Sequence, residues 1–376
     1  MKELFLVSAE NSSERYGVDV LSALRERLGP SFSCFGAGGK RLAASGMEVL
    51  VPSAELSVAG LVEVARHIPR LMGLKRRLLE ACLRRRPQAA LLIDFPDFNL
   101  SLAASLKAAG IPVFFFISPS IWAWRYGRVK TLRQRVDHTF LIYPFEAPIY
   151  QREGLSHTYV GHPLLPHLPL GEGCGEERRG DRILLLPGSR PGEVHRLLGP
   201  LLETLHLIRR ERPDIGVELI QADSISDGQL EAARGMGICF RPQMEAYPAM
   251  REAGVVLAAC GTTTLEAALL GAPALTTYRV NRLSYLLGKP FVHIPRYSIV
   301  NILLGREVIP EFIQRRCQPR PMARMALELL GPSVRAVAQQ EAYRELRNLL
   351  GNPLGLTPAG HVAGVICGDL PRADRR

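Results

Sequence analysis

No run in this 376-residue sequence approaches the roughly eighteen consecutive apolar residues of a membrane-spanning helix. The opening MKELFLVSAENSS holds an apolar run of only four residues, too short for a secretory leader, so a cytoplasmic location is expected. Seven cysteines stand at positions 34, 82, 174, 239, 260, 317 and 367, with no CxxC pair and no cluster with histidine. That scatter excludes a disulfide framework and a structural zinc site. Neither GxxxxGK[ST] nor GxGxxG occurs, which removes the standard P-loop and the usual dinucleotide fingerprint. No internal repeat is evident at solenoid periods. Apolar residues at 47% and charged residues at 22% leave an ordinary globular chain, long enough for two domains.

Positive charge is in excess. The formal net charge is +11, and it calls for an anionic partner: nucleic acid, a phosphorylated substrate or an acidic membrane surface. It is concentrated in RHIPRLMGLKRRLLEACLRRR, residues 66–86, where eight Lys or Arg face one Glu between apolar residues. Three roles are open to such a segment: a solvated helix face, contact with anionic lipid, or contact with nucleic acid.

The apolar pattern alternates strand and helix. Strands are expected at 3–7, 32–37, 89–94 and 113–117, with helices at 16–28, 54–83 (broken near Pro69) and 100–108. A stretch rich in Pro, Gly and charge, 163–180, reads as a linker. Alternation then resumes with strands at 183–186, 216–220, 237–240, 254–258 and 273–277, and helices at 193–211, 228–235, 245–252 and 263–269. The expected fold is α/β, with two Rossmann-like domains facing a cleft, residues 1–170 and 171–340, and a helical tail, 341–376.

Ligands of such sheets bind beyond the carboxyl ends of strands, and polar motifs stand there. In LLIDFPDFNLS, Asp94 ends a strand and Asp97 follows in a proline-containing turn. Either acid suits a general base or a helix cap, and Asn99 suits a cap. FFFISPSIWAWRYGRVK sets Trp122 and Trp124 before Arg125, Arg128 and Lys130, a combination fitting sugars, phosphates or lipid headgroups, or an inward-packed aromatic face. In LLLPGSRPGEV, Gly188, Ser189 and Arg190 lie between a strand and a helix N-terminus, a place for a phosphate or diphosphate. In LAACGTTTLEAALLGAP, Gly261 permits close backbone approach, and Thr262 and Thr263 offer hydroxyls and amides. Glu266 there can receive ribose hydroxyls or close a capping box with Thr263. HIPRYSIVNILLGREVIPEFIQ gathers Asn301, Arg306 and Glu307, the last able to pair with Arg306 or orient a hydroxyl.

Taken together, IDFPDFNL, SPSIWAWRYGRVK, PFEAPIY, VGHPL, LLPGSRPGEV, GTTTLEAALLGAP and NILLGREVIPE resemble, in order and spacing, the lipid-A-disaccharide synthase family, glycosyltransferases of GT-B architecture. FGAGGKRLAASGMEVL and LSVAGLVEVARHIPRL extend the resemblance over nearly the whole chain. It implies transfer from UDP-2,3-diacylglucosamine to 2,3-diacylglucosamine 1-phosphate with inversion, giving a β-1,6 disaccharide and UDP. It implies Asp97 as general base, with Asp94 as the alternative, Arg190 on the diphosphate, Asn301 near donor or leaving group, and Glu266 on the uridine ribose. Arg306 and Glu307 fall in the Asn301 strip. Arg125 and Arg128 are implied at the acceptor phosphate. No cofactor and no catalytic metal are implied.

The family is membrane-associated without spanning, so 61–86 becomes the candidate face toward the anionic inner-membrane surface. A homodimer exchanging C-terminal segments is implied, and no nucleic acid. The first loop departs from the family's GEASGD: this chain has AENSSE, keeping Glu10 and Ser12 while Glu14 replaces the acid and both glycines are gone. That leaves acyl or sugar selectivity open, not the reaction class. Other possibilities are a different GT-B UDP-sugar transferase or epimerase, a basic nucleic-acid binder, and an inactive homologue. Retention of Asp97, Arg190, Glu266 and Asn301 together weighs against the last.

Overall fold

Buried apolar runs and amphipathic ones alternate along the chain and build two parallel sheets, each in its own unit. The computed structural model describes residues 1–9, 11–56, 61–123, 126–170, 179–281 and 295–371. One unit comprises Met1–Pro166 with Leu350–Arg376, the other His167–Leu349.

The first unit holds β1 (Glu3–Ser8), β2 (Ser33–Gly38), β3 (Glu48–Pro52), β4 (Ala89–Ile93), β5 (Val113–Phe116), β6 (His138–Leu141) and β7 (His157–Tyr159). Their order is β3-β2-β1-β4-β5-β6-β7, every pair parallel. Side chains alternate between two buried faces, as a covered parallel sheet requires. Phe5, Val7, Leu92 and Phe115 pack under helices Leu61–Arg85, Pro96–Ala108 and Arg128–Arg135. Leu4, Leu6, Leu91 and Phe114 pack under helices Asn11–Leu28 and Pro358–Cys367. The C-terminal helix is capped by Thr357, whose hydroxyl accepts from Gly360 N–H at 3.0 Å. It is pinned to helix Asn11–Leu28 by Arg27 and Asp369, 2.8 Å apart.

The second unit holds β8 (Arg179–Leu186), β9 (Gly216–Gln221), β10 (Cys239–Pro242), β11 (Ala253–Ala259), β12 (Ala274–Tyr278) and β13 (Glu311–Ile313), in the order β10-β9-β8-β11-β12-β13, again all parallel. Helices Pro191–Glu211 and Pro319–Leu330 cover one face through Leu197, Leu201, Met322 and Ala326. The buried Gln339, on helix Val334–Leu350, accepts from Ala274 N–H at 3.0 Å and donates to the carbonyls of Ala274 and Val308. It thus ties the start of β12 to the chain entering β13.

Several elements differ from the expectation. The helix expected to break near Pro69 runs from Leu61 to Arg85 with Pro69 inside it, the lost N–H and ring clash there being offset by burial of Leu74, Leu78 and Cys82 against the sheet. Strands β3, β6, β7 and β13 were not anticipated; each has only three to five residues, too few for a clear alternation. The segment expected as a helix at 228–235 is a 3-10 turn, Asp227–Ala233, opened by a capping box of Ser226 and Gln229.

Candidate functional site

In each sheet the crossover direction reverses once, between β1 and β4 and between β8 and β11. The chains leaving those neighbouring strands turn apart, and the carboxyl edge opens between them.

In the first unit β1 leads into helix Asn11–Leu28. Glu10 lies outside the described residues, as does the Ser12 side chain. The buried hydroxyls of Ser8 and Ser13 bond at 2.9 Å. Glu14, the acid of the altered loop, is buried and accepts from the N–H groups of Arg41 and Leu42 at 2.9 and 3.1 Å. It caps a neighbouring helix instead of facing a ligand. A Cβ on Gly39 would stand 2.6 Å from the Glu14 carboxylate, so only glycine fits beside it.

β4 ends in a strained turn: Asp94 and Phe95 take φ of 51° and 47°, the left-handed region that non-glycine residues rarely enter. Asn99 holds it there. It does not cap the helix; it is fully buried within it, and its amide donates back to the carbonyls of Asp94 at 2.7 Å and Ile93 at 3.3 Å. The helix N-cap is Phe95, which gives no side-chain cap. Asp97 sits in the first helical turn with its side chain 73% exposed, and Arg128, itself only 11% exposed, reaches it at 2.5 Å. The turn therefore presents one carboxylate outward and supports it with one cation.

Beyond β5, Trp124 and Arg125 lie outside the described residues. Trp122 is half-buried with its ring edge-on to Phe145, centroids 5.0 Å apart, and Phe145 stacks on Tyr143. Beneath them is a residue the motifs did not single out, Glu146 of PFEAPIY. Burial pushes its carboxyl up to about 8, opposed by the Ser118 hydroxyl, the Tyr143 amide and the Trp122 indole. A neutral acid thus underlies the aromatic loop at neutral pH.

In the second unit β8 ends in the Pro187–Arg190 turn. Gly188 has φ +120°, and a Cβ there would lie 2.7 Å from the Glu193 carboxylate and 3.6 Å from Ala259 of β11. The turn is thereby pressed against the neighbouring strand end. Ser224 donates from its hydroxyl to the Ser189 carbonyl. Arg190 is the N-cap of a 21-residue helix and gives no side-chain cap; its guanidinium is 72% exposed, 3.3 Å from Glu193. The positive end of a long helix, with the Gly192 amide in its first turn, and an exposed cation thus stand together.

β11 ends at Cys260 and Gly261, and Gly261 is the N-cap of helix Thr262–Leu269. The capping box of Thr263 with Glu266 is not formed, because the helix begins one residue before Thr263. Thr264 instead bonds the Gly261 carbonyl at 2.7 Å. Glu266 accepts from the Tyr247 hydroxyl at 3.2 Å, and no motif had pointed to that tyrosine.

The third strip behaves differently. Asn301 is 0% exposed. Its oxygen accepts from Val308 and Ile309 N–H at 2.8 and 2.9 Å, and its nitrogen donates to Ile309 O and to Glu311 at 2.8 and 2.9 Å. Glu311, also buried, accepts from Tyr297 and Ser298 N–H. Both ends of the carboxamide are occupied by the fold, so Asn301 braces this strip. Arg306 and Glu307 precede β13, near Val308 and the start of β12, at the sheet edge opposite the turns of β8 and β11. Arg306 pairs there with Glu345 at 2.5 Å and not with Glu307. A parallel strand is entered at the edge away from its ligand-binding end, which takes these two residues out of the β8–β11 crevice.

Among the described residues no group of three or more His, Cys, Asp or Glu is placed to hold a metal ion. No described helix is long and apolar enough to cross a membrane.

A sequence model of the family described as lipid-A-disaccharide synthetase matches residues 4–354. The lipid-A-disaccharide synthase of Anaeromyxobacter dehalogenans strain 2CP-C is 39% identical over 376 aligned residues, 97% of each chain. Among solved structures, the glycotransferase of kitacinnamycin is similar at TM-score 0.64 and 15% identity, covering 98% of this chain and 99% of its own. A UDP-GlcNAc 2-epimerase from Neisseria meningitidis, solved with UDP-GlcNAc, is similar at TM-score 0.59 and 10% identity, covering 98% and 100%. At these identities the structural likenesses show the fold alone, the two-lobed GT-B arrangement of Rossmann-like units.

Two outcomes are expected from the buried groups. Asn301→Ala leaves the Val308 and Ile309 amides without their acceptor, at a cost of about 1–3 kcal/mol for each group left unpaired. Its urea midpoint falls well below that of the wild type; an unchanged midpoint with lost turnover returns Asn301 to the substrate. Glu146 titrates at an ordinary 4.5 when unfolded and near 8 when folded. The folded state therefore holds the extra proton, so its stabilising contribution is full below pH 4.5 and is lost as pH rises through 8. Glu146→Gln flattens that decline in denaturation measured from pH 5 to 9, and an unaltered pH slope contradicts the assignment.

Proposed function

The chain belongs to the lipid-A-disaccharide synthase family, whose members are hexosyltransferase enzymes of lipid A biosynthesis, and from that membership we propose that it joins UDP-2,3-diacylglucosamine to 2,3-diacylglucosamine 1-phosphate. The acceptor 6-hydroxyl attacks C1 of the donor, the bond from C1 to the diphosphate oxygen breaks, and UDP departs. An α-linked donor gives a β-1,6 product. The hydroxyl proton passes to a carboxylate, and the electron pair of the broken bond goes to the diphosphate.

The observation carrying this proposal is the pair of switch points. The first unit presents an exposed carboxylate, Asp97, at the end of β4, and the second an exposed guanidinium, Arg190, over a long helix N-terminus at the end of β8. Asp97 is the base, and Arg128 orients it. Asp94, the left-handed residue at the end of β4, is the alternative base. Arg190 and the N–H groups of Ser189, Arg190 and Gly192 receive the charge building on UDP. Glu266, steadied by Tyr247, takes the ribose hydroxyls, with Gly261, Thr262 and Thr263 beside it. The chemistry proceeds on charge stabilisation by these groups.

Peripheral attachment to the cytoplasmic face of an anionic membrane belongs to the same proposal. On helix Leu61–Arg85, Met72, Arg76 and Leu83 fall on one stripe, with Met72 66% and Leu83 52% exposed. Apolar tips beside arginine suit an interface of acyl chains and headgroups.

The test is turnover of the purified protein with both lipid sugars, following UDP and disaccharide mass. Product is expected; none across several acyl lengths sinks the proposal, and conversion of UDP-GlcNAc without an acceptor favours an epimerase. Asp97→Ala lowers kcat by roughly 10²–10⁴ with UDP binding retained. Near-normal turnover in that variant removes Asp97 as base.

A further inference from the structure

One face of helix Pro96–Ala108 carries more than its aspartate. Asp97 and Ser101 are four residues apart, hence on one face and about 6 Å apart along the axis. Ser101 accepts from the Lys75 ammonium, on helix Leu61–Arg85, at 2.9 Å. Arg135 donates to the Leu100 carbonyl at 3.1 Å from helix Arg128–Arg135, whose other end sends Arg128 to Asp97. Arg128 and Arg135 are seven residues apart and share a face. Lys75 and Arg135 stand near enough to repel: burial and the Arg135 charge both lower the ammonium's proton affinity. Among the described residues neither cation pairs with a carboxylate.

Two part-buried cations directed to adjacent residues of one helix, one of them bonded to a hydroxyl, make a setting suited to an anion. We propose that Lys75, Ser101 and Arg135 bind a phosphomonoester, the anomeric phosphate of the acceptor sugar; this rests on the transferase proposed above. The geometry of that acceptor matches. Its reacting 6-hydroxyl and its anomeric oxygen lie on opposite sides of one sugar ring, a separation of the order of the single helical turn between Asp97 and Ser101. Its acyl chains have a neighbouring surface, since Lys75 borders the stripe of Met72, Arg76 and Leu83. Phosphate at Lys75 and Arg135 thus orients the ring with its 6-hydroxyl toward Asp97.

The test compares two short-chain, monomeric acceptors, diacylglucosamine with and without the 1-phosphate, in the full chain and in Lys75→Gln, Ser101→Ala and Arg135→Gln. The wild type prefers the phosphorylated acceptor in kcat/KM. Each charge-removing variant loses roughly tenfold to a hundredfold of that preference through KM, with the KM of the UDP-sugar unchanged. Arg135→Lys recovers part of it. Equal losses on both acceptors mean a merely structural role and overturn the proposal. Loss of binding to phosphatidylglycerol vesicles with an unchanged preference assigns the cluster to a membrane headgroup and overturns it as well. A wild type that makes no disaccharide overturns the transferase proposal first, an outcome distinct from an active wild type whose variants keep their preference.

Discussion

The polarity of the parallel strand governs this molecule. Every strand of a parallel sheet delivers its carboxyl end to the same edge, and the ladder consumes the backbone groups of buried strands up to that edge. Where crossovers reverse, between β1 and β4 and between β8 and β11, the two chains leave in opposite directions and nothing of the sheet covers the gap. The helices starting there, at Pro96, Pro191 and Thr262, have Phe95, Arg190 and Gly261 as N-caps, and none gives a side-chain cap. Pro96 and Pro191 carry no N–H, and the Glu193 and Thr264 N–H groups bond the Arg190 and Gly261 carbonyls, so what these starts hold toward a ligand is their helix polarity and the second-position amides of Asp97, Gly192 and Thr263. Asp97 and Arg190 stand on these helix starts, one acidic and one basic, and the same topology accounts for both.

Such exposed groups require a rigid base. Asn99 supplies it under β4, bonding the carbonyls of a turn in which two successive non-glycine residues adopt left-handed backbone. Gly188 supplies it under β8, where any side chain would strike Glu193. Asn301 and Gln339 do related work around β12 and β13, each carboxamide replacing main-chain partners at a strand's irregular approach. A buried carboxamide is suited to this, because it donates and accepts at once and carries no charge to desolvate.

That dual character is also why the sequence was legible only in part. The alternation of strands and helices and the motifs at the ends of β4, β8 and β11 stand out because long apolar runs stop abruptly at Asp, Gly and Thr. The three- to five-residue strands β3, β6, β7 and β13 carry no such contrast, their places being set by neighbours in the sheet. Asn301 in NILLGRE looks from composition like a ligand group, and only its burial and four bonds reveal a brace. Glu311, Glu146 and Tyr247 act through partners distant in sequence, and no local spacing announces such pairs. Arg306 and Glu307 share a motif with Asn301, yet chain direction into β13 carries them to the other edge.

Charge makes the same distinction between number and place. Many of the arginines behind the net charge of +11 are used by the fold: Arg85 with Glu3 and Glu48, Arg182 with Glu218 and Glu252, Arg241 with Glu218 and Glu245, Arg306 with Glu345. Such pairs fix helices and strand edges and say little about partners. Among the described residues Lys75 and Arg135 have hydroxyl and carbonyl neighbours in place of carboxylates, and Arg190 has Glu193 of its own helix at 3.3 Å. A cation held part-buried without a carboxylate costs the folded state energy that an arriving anion returns as binding. The proposed transferase, with a diphosphate on its donor and a phosphate on its acceptor, needs two places for an anion. In that proposal the exposed Arg190 is one, at the end of β8, and the part-buried Lys75–Arg135 pair is the other, one helical turn from Asp97.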